Sequence, residues 1–238
     1  MSIRAITFDF WNTLFRDANS AARRQLRVDA YARATGIPQE VVAEAVRKTF
    51  AEFDRCHRQE QRTLTPYDAV CLTSETLGIA MARDTAQSLA VAFATAVLTY
   101  GPVPIDGALD AVRTAARHAA IGLVSDTGVS PGCVIRQLLD RYGFLEFLAA
   151  SVFSDEVGVS KPQRAMFDAA AAGVGVPTTE LMHIGDLEYS DISGAKAVGA
   201  RAALFTGANS DYRDATQADY TFASWDEFIR RLPALVQD

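Results

Sequence analysis

The sequence predicts an α/β fold: a Rossmann-like parallel sheet with helices on both faces, interrupted by an all-helical insertion. Two observations lead there. Short apolar runs rich in β-branched residues recur between stretches of helical periodicity, the pattern of a parallel sheet covered on both sides. Residues 11 to 120 separate the first run from the second, far more chain than a single crossover needs, and that interval is helical in pattern almost throughout.

The strand candidates are "IRAITFDF" at 3–10, "IGLVS" at 121–125, "ASVF" at 150–153, "LMHIG" at 181–185 and "RAALF" at 201–205. Inside the insertion, one helix is expected from Ser20 to Ala34, ended by Gly36, and a second from Pro38 with Val42, Val46, Phe50 and Phe53 on one face. Thr65 and Pro66 offer an N-cap and first position to a third helix that Gly78 ends. A fourth carries Leu89, Phe93 and Val97 until "YGPVP" at 100–104 breaks it. Beyond the insertion, Pro162 is expected to begin a helix that stops at Gly173. Asp191 leads another that stops at Gly199, and a last helix runs from about Trp225 to Val236. The expected organisation is therefore an α/β core over 1–15 and 101–238 and a four-helix cap over 16–100.

Composition narrows the class of protein. The 238 residues are 49% hydrophobic and 22% charged, as in ordinary globular chains. A net charge of −6 with no basic tract argues against nucleic acid or an anionic membrane as partner. Cys56, Cys71 and Cys133 are odd in number and lack metal-ligand spacing, so they read as free thiols in a reducing compartment. No signal peptide or membrane-spanning run is evident, and a cytoplasmic location is expected. A small-molecule substrate is the expected partner, with the chain a monomer or homodimer.

In an open parallel sheet, ligands sit outside the carboxyl ends of the strands, and four strands here end in polar residues suited to one site. The first delivers Asp9 with Asn12 and Thr13 in the following turn, and the second delivers Ser125 and Asp126. "SDEVGVSKP" after the third brings Lys161, and "GDLEYSD" after the fourth brings Asp186 and Asp191. Asp9 is a candidate nucleophile. Three converging carboxylates need a cation, and an all-oxygen set suits Mg²⁺. Lys161 supplies fixed positive charge, while the Ser125 hydroxyl and the turn amides near Asn12 and Thr13 can bond the oxygens of a phosphoryl group.

"DFWNTL", "LVSDTG", "GVSKP" and "GDLEYSD", in that order, resemble the four motifs of the haloacid dehalogenase superfamily of aspartyl-nucleophile hydrolases, and the resemblance covers essentially the whole chain. It implies a helical cap after the first motif, Asp9 as nucleophile and Thr13 as a support of its turn. Ser125 would bind phosphoryl oxygens, Lys161 would steady nucleophile and substrate, and Asp186 would contact Mg²⁺, with Asp191 in or just behind the ligand shell. Phosphatases of the family usually carry a second aspartate, the general acid and base, where this chain has Trp11. Indole cannot exchange a proton at neutral pH, although the backbone carbonyl that ligates Mg²⁺ in the family is retained by Trp11.

That replacement leaves three readings. The first is a phosphatase that acts on a good leaving group or borrows an acid, with Asp126, His57 and Glu60 as candidates. The second is attack on carbon, as in 2-haloacid dehalogenases, which also carry an aromatic residue at this place but lack the second pair of acids. A phosphonatase-like variant would need a cap lysine, and Lys48 is the sole lysine there. The third is a binding protein that has lost turnover. Because Asp186 and Asp191 are kept, phosphoryl chemistry on a small metabolite is expected. Arg55, His57, Arg58 and Arg62 in "DRCHRQEQR" are candidates to receive a second anionic group, as are Arg23, Arg24 and Arg27; Trp11 is a candidate to shape the pocket.

Overall fold

The computed structural model describes residues 2–236. Met1, Gln237 and Asp238, the extremes of the segments assigned to the core, lie outside the described residues. From the N-terminus, β1 (Ala5–Phe8) leads through β2 (Phe15–Arg16) into four helices: α1 (Ser20–Thr35), α2 (Gln39–Arg55), α3 (Pro66–Leu77) and α4 (Arg83–Thr99). The chain returns through β3 (Val103–Pro104) and α5 (Ala108–Ala115), then continues as β4 (Ala120–Ser125), α6 (Gly132–Arg141), β5 (Ala150–Phe153), a short α7 (Ser154–Val157) and α8 (Arg164–Val174). It closes with β6 (Leu181–Gly185), α9 (Ser193–Ala197), β7 (Arg201–Phe205), β8 (Tyr220–Phe222) and α10 (Trp225–Leu235).

Six strands form one parallel sheet in the order β5-β4-β1-β6-β7-β8. The chain first builds outward from β1 on one side and then on the other, so the strand order switches between β1 and β6. A ligand crevice opens at such a switch point.

Successive side chains of a strand point to opposite faces, and here both faces are covered. Ile6, Phe8, Ile121, Leu123, Ile184 and Phe205 pack with α5, α6 and α10. Ala5, Val124, Leu181, Ala202 and Leu204 pack with α8 and α9. This explains why the strands read as continuous apolar runs. The first layer is anchored by Trp225, fully buried, stacked on Phe205 at 4.3 Å and edge-on to Phe8 at 5.6 Å.

The inserted helices have their own core, built from Val28 and Tyr31, Val42 and Val46, Ala69 and Val70, and Leu89 and Phe93. Val129, from the loop after β4, packs into it. Helix α1 ends at Gly36 in the left-handed conformation, φ 72°. Helix α3 starts with a full capping box, in which Thr65 and Asp68 satisfy each other's backbone amides.

Several expected boundaries move. The first strand ends at Phe8, because Phe10 already accepts turn hydrogen bonds from Leu14 and Phe15. Helix α8 begins at Arg164 rather than Pro162, after a turn that Gln163 closes by donating to Ser160 O. It runs through Gly173 to Val174, since Gly173 packs against Ala150 and Gly175 supplies the left-handed stop. Asp191 lies within a π-helical turn over Glu188–Ile192 that passes directly into α9. The break at "YGPVP" contains β3, which pairs antiparallel with β2, and β8 adds a sixth strand that its three residues are too short to announce.

Candidate active site

Asp9 directly follows β1, its amide bonded to Ile184 O on the neighbouring strand at 2.9 Å. The next turn reverses the chain: Leu14 and Phe15 amides donate to Phe10 O, and Asn12 takes the left-handed conformation, φ 54°. Asparagine tolerates that region better than most side chains. The Trp225 indole donates to Thr13 O at 3.2 Å and ties the turn to α10.

Lys161 is the hub. Only 2% exposed, its ammonium donates to Asp9 Oδ1 at 2.7 Å, Asp191 Oδ1 at 2.6 Å and Val124 O at 3.1 Å. Burial opposes its charge, but Asp191 and Asp9 outweigh burial and raise its pKa. Burial likewise opposes ionisation of Asp191, yet Lys161 and His183 hold its carboxyl well below the usual range. His183, in the middle of β6, bonds Asp191 Oδ1 at 3.1 Å and Thr7 Oγ1 at 2.9 Å. The Leu187 amide donates to Asp191 Oδ2 at 2.9 Å. Gly185 is required beside it: a Cβ there would stand 2.2 Å from the Asp191 carboxyl carbon.

Asp9 and Asp186 remain under-compensated. Burial raises the Asp9 pKa well above the carboxylate range; Lys161 opposes this, and the charges of Asp191 and Asp186 add to it. Burial and then Asp191 push Asp186 up to about 6, against a hydrogen bond from Asn209 Nδ2 at 2.9 Å. Such a donor set takes up positive charge. Among the described residues no three His, Cys, Asp or Glu side chains converge as a ready metal cage. Two carboxylates do fit Mg²⁺, which binds through one or two carboxylates and keeps water or phosphate oxygens for its other positions.

A cavity of about 610 Å³ opens over these groups, lined by Asp9, Trp11, Asn12, Lys161, Asp186 and Asn209 from the sheet side. Arg23, Arg24, Arg27, Phe50, Phe53, His57 and Arg58 face it from α1, α2 and the π-helical turn at Cys56–Glu60. Hydrogen bonds connect the inserted segment to the core: Thr63 Oγ1 to Ser154 Oγ, Gln61 Nε2 to the Tyr189 hydroxyl, and Ser160 N and Gln163 Nε2 to Gln61 O.

The structure sorts the candidates. Asp9, Trp11, Asn12, Asp126, His57, Arg58, Lys161, Asp186 and Asp191 border one cavity. Three donors already occupy the Asp191 oxygens, which leaves Asp9 and Asp186 as the carboxylates open to a cation. Ser125 and Thr13 are fully buried and do not line the cavity; the Ser125 hydroxyl turns onto Asp126 O at 3.2 Å, and the Thr13 hydroxyl has no partner among the described residues. Arg55 also lies off the cavity, paired with Glu52 and Glu60. Arg62 pairs with the same Glu60. Arg58 reaches the cavity but pairs with Asp54 at 2.7 Å. Lys48 is 58% exposed and away from the site.

Asn209 and His183 were not singled out in the sequence. Histidine inside an otherwise apolar strand is a signal for the second, whereas Asn209 sits in an ordinary polar loop after β7. The cavity-facing stripe Ser20, Arg23, Arg24 and Arg27 has the i, i+3, i+4, i+7 spacing of one helix face.

Comparison with known proteins agrees with this architecture. A pyrimidine 5'-nucleotidase, YjjG of Escherichia coli strain K12, is 28% identical over 130 residues, 54% of this chain and 56% of that protein. The alignment thus spans about half the length of that curated relative. A HAD phosphatase from Thermococcus onnurineus superposes with a TM-score of 0.67 at 19% identity, over 96% of this chain and 97% of the other. A 2-haloacid dehalogenase from Pseudomonas syringae pv. Tomato DC3000 gives 0.70 at 17% identity, over 99% and 98%. At these identities the two structures show the shared fold. The model of the haloacid dehalogenase-like hydrolases matches residues 3–199, and the chain belongs to that family.

Proposed function

We propose that the protein is a Mg²⁺-dependent phosphatase of small phosphorylated metabolites, with Asp9 as nucleophile and the inserted helices as a cap over residues 16–100. The observation that carries this reading is the pair Asp9 and Asp186, buried, under-compensated and open to one cavity while Lys161 neutralises Asp191 behind them. Likeness to a curated nucleotidase supports the same bond type.

In the proposed reaction a carboxylate oxygen of Asp9 attacks phosphorus as the bond to the ester oxygen breaks, and the departing oxygen takes a proton. Water then attacks the phosphorus of the aspartyl phosphate, releases inorganic phosphate and restores Asp9. Lys161 orients Asp9 through its 2.7 Å contact and, together with bound Mg²⁺, would favour the ionised carboxylate that burial disfavours. Asp9, Asp186 and the Trp11 carbonyl would hold Mg²⁺, which supplies charge stabilisation for the transferring phosphoryl group.

In this reading the proton comes from a residue other than Trp11, and His57 is the candidate. Of three histidines in the chain, His183 is buried within the Asp191 network and His118 precedes β4 at the opposite sheet edge. His57 borders the cavity with Nε2 3.5 Å from Asp126 Oδ2. Asp126 is itself held by the Lys161 amide at 2.9 Å.

Trp11 favours one second reading, attack on the carbon of a 2-haloacid, where the leaving halide needs no proton. One assay separates them: phosphate release from p-nitrophenyl phosphate and sugar or nucleoside phosphates, with Mg²⁺ and with EDTA, using Asp9→Asn as blank. Mg²⁺-dependent release absent from the blank is expected. No release, with halide liberated from 2-haloacids, would replace the phosphatase reading by the second.

A further inference from the structure

The walls of the cavity carry opposite charge. Its sheet side holds Asp9, Asp126, Asp186 and Asp191 against Lys161, while its helical side presents Arg23, Arg24 and Arg27 along α1. These three arginines are not equivalent. Arg23 is already neutralised by Asp17, donates to Tyr100 O at 3.0 Å and stands 5.7 Å above the Trp11 ring.

Arg27 is different. It is 4% exposed, its Nε donates to Phe93 O at 3.0 Å, and its guanidinium carbon lies 5.3 Å from the Phe50 ring centroid. Among the described residues it forms no ion pair within 4.0 Å. Asp17, whose charge acts on it, gives its oxygen to Arg23 instead. Burial, reinforced by the charge of Arg23, lowers the Arg27 pKa to about 10, which leaves it charged at neutral pH. A desolvated cation without an acid is costly in a folded protein. Here Arg27 lines the cavity, and Arg24, exposed and also free of an ion pair among the described residues, stands one residue from Arg23 on the same stripe.

We propose that Arg27, assisted by Arg24, is a second anion subsite, and that the substrate is a phosphate ester bearing a further carboxylate or phosphate at the end remote from the bond cleaved. The proposal rests on the phosphatase reading for which end reacts. The chemistry is that of a planar guanidinium meeting paired anionic oxygens. Phe50 fixes the plane of the fork, and its Nε–H is held by Phe93 O, so ordering it on ligand arrival costs little.

The test compares three esters of one chain length: propyl phosphate, 3-phosphooxypropanoate and propane-1,3-diyl bisphosphate. Binding to the Asp9→Asn protein is measured by calorimetry with Mg²⁺, with and without Arg27→Gln, and phosphate release is followed in parallel with the active enzyme. Either doubly anionic ester, or both, should bind at least about tenfold more tightly than propyl phosphate, and the preferred one identifies the second group. Arg27→Gln should abolish that margin, and Arg27→Lys should keep part of it. Equal affinity for all three esters, or a margin that survives Arg27→Gln, would overturn the subsite. If Arg27→Gln fails to fold, Arg24→Gln and Arg27→Lys carry the comparison, and an undiminished margin in both has the same meaning. An affinity margin without phosphate release would overturn the phosphatase reading alone; release from all three esters without a margin would overturn the subsite alone.

Discussion

At the scale of single residues, the site turns on what Trp11 does in place of a proton carrier. Its ring meets Phe10 edge-on at 4.9 Å and lies beneath the Arg23 guanidinium at 5.7 Å, so it shapes the cavity and steadies the cationic wall. On the proposed phosphatase reading, proton transfer falls to His57. His57→Gln is expected to lower kcat on alkyl phosphates by ~10²-fold, within the usual range for lost acid–base help. It should lower p-nitrophenyl phosphate turnover far less, because that leaving group departs without a proton. Equal losses on both would remove His57 from this role. Trp11→Asp is expected to raise turnover of the alkyl esters; a flat or lower rate would mean that the ring contributes more to substrate fit than a carboxylate contributes to chemistry.

At the scale of elements, the turn from β6 into the π-helical segment decides whether Lys161 is correctly held. Gly185 lets Asp191 fold back within contact of the strand end, and Leu187 N locks it there. Gly185→Ala is expected to cost ~1–3 kcal/mol, as overpacking does, and to displace Asp191 from Lys161. A lowered melting temperature with a large fall in kcat would agree; wild-type turnover would show that the turn relaxes without moving Asp191. The stripe on α1 illustrates a different limit. Ser20, Arg23, Arg24 and Arg27 share one helix face by spacing alone, but Arg55 on α2 looked equally suitable in the sequence. Only helix packing turns the first set to the cavity and leaves Arg55 with Glu52 and Glu60.

At the scale of the whole molecule, the polar chain Thr7–His183–Asp191–Lys161 crosses from the sheet interior to the cavity and ties site chemistry to folding. Burial lowers the His183 pKa from its ordinary 6.5, opposed by Asp191. A base with a lowered folded pKa contributes stability that is fully present above the unfolded value and is lost as pH falls below it. Asp191, held below its ordinary 3.8, adds a further loss below that pH. The His183 contribution declines from about pH 6.5 downward, against the raised Asp9 and Asp186 carboxyls, which bind protons more readily folded than unfolded; urea unfolding should therefore show less acid-linked loss between pH 6.5 and 5 in His183→Gln than in the unsubstituted protein. An unchanged slope in the variant would place the acid sensitivity elsewhere. No helix among the described residues is long and apolar enough to cross a membrane.

The α/β sheet, the four inserted helices and the order of Asp9, Lys161, Asp186 and Asp191 are legible in the sequence. Those features are local: strand runs apolar on both faces, glycine stops such as Gly36 and Gly78, and short polar motifs at strand ends. Tertiary structure decided what depends on distant segments. It brought Asn209 to Asp186 and His183 to Thr7, bound Asp191 to Lys161, and withdrew Ser125 and Thr13 from the cavity wall. It also left Arg27 buried without an acid among the described residues. The physical reason is that a side chain's direction and its partners' charges are set by how elements pack, and spacing along one segment carries no record of the segment packed against it.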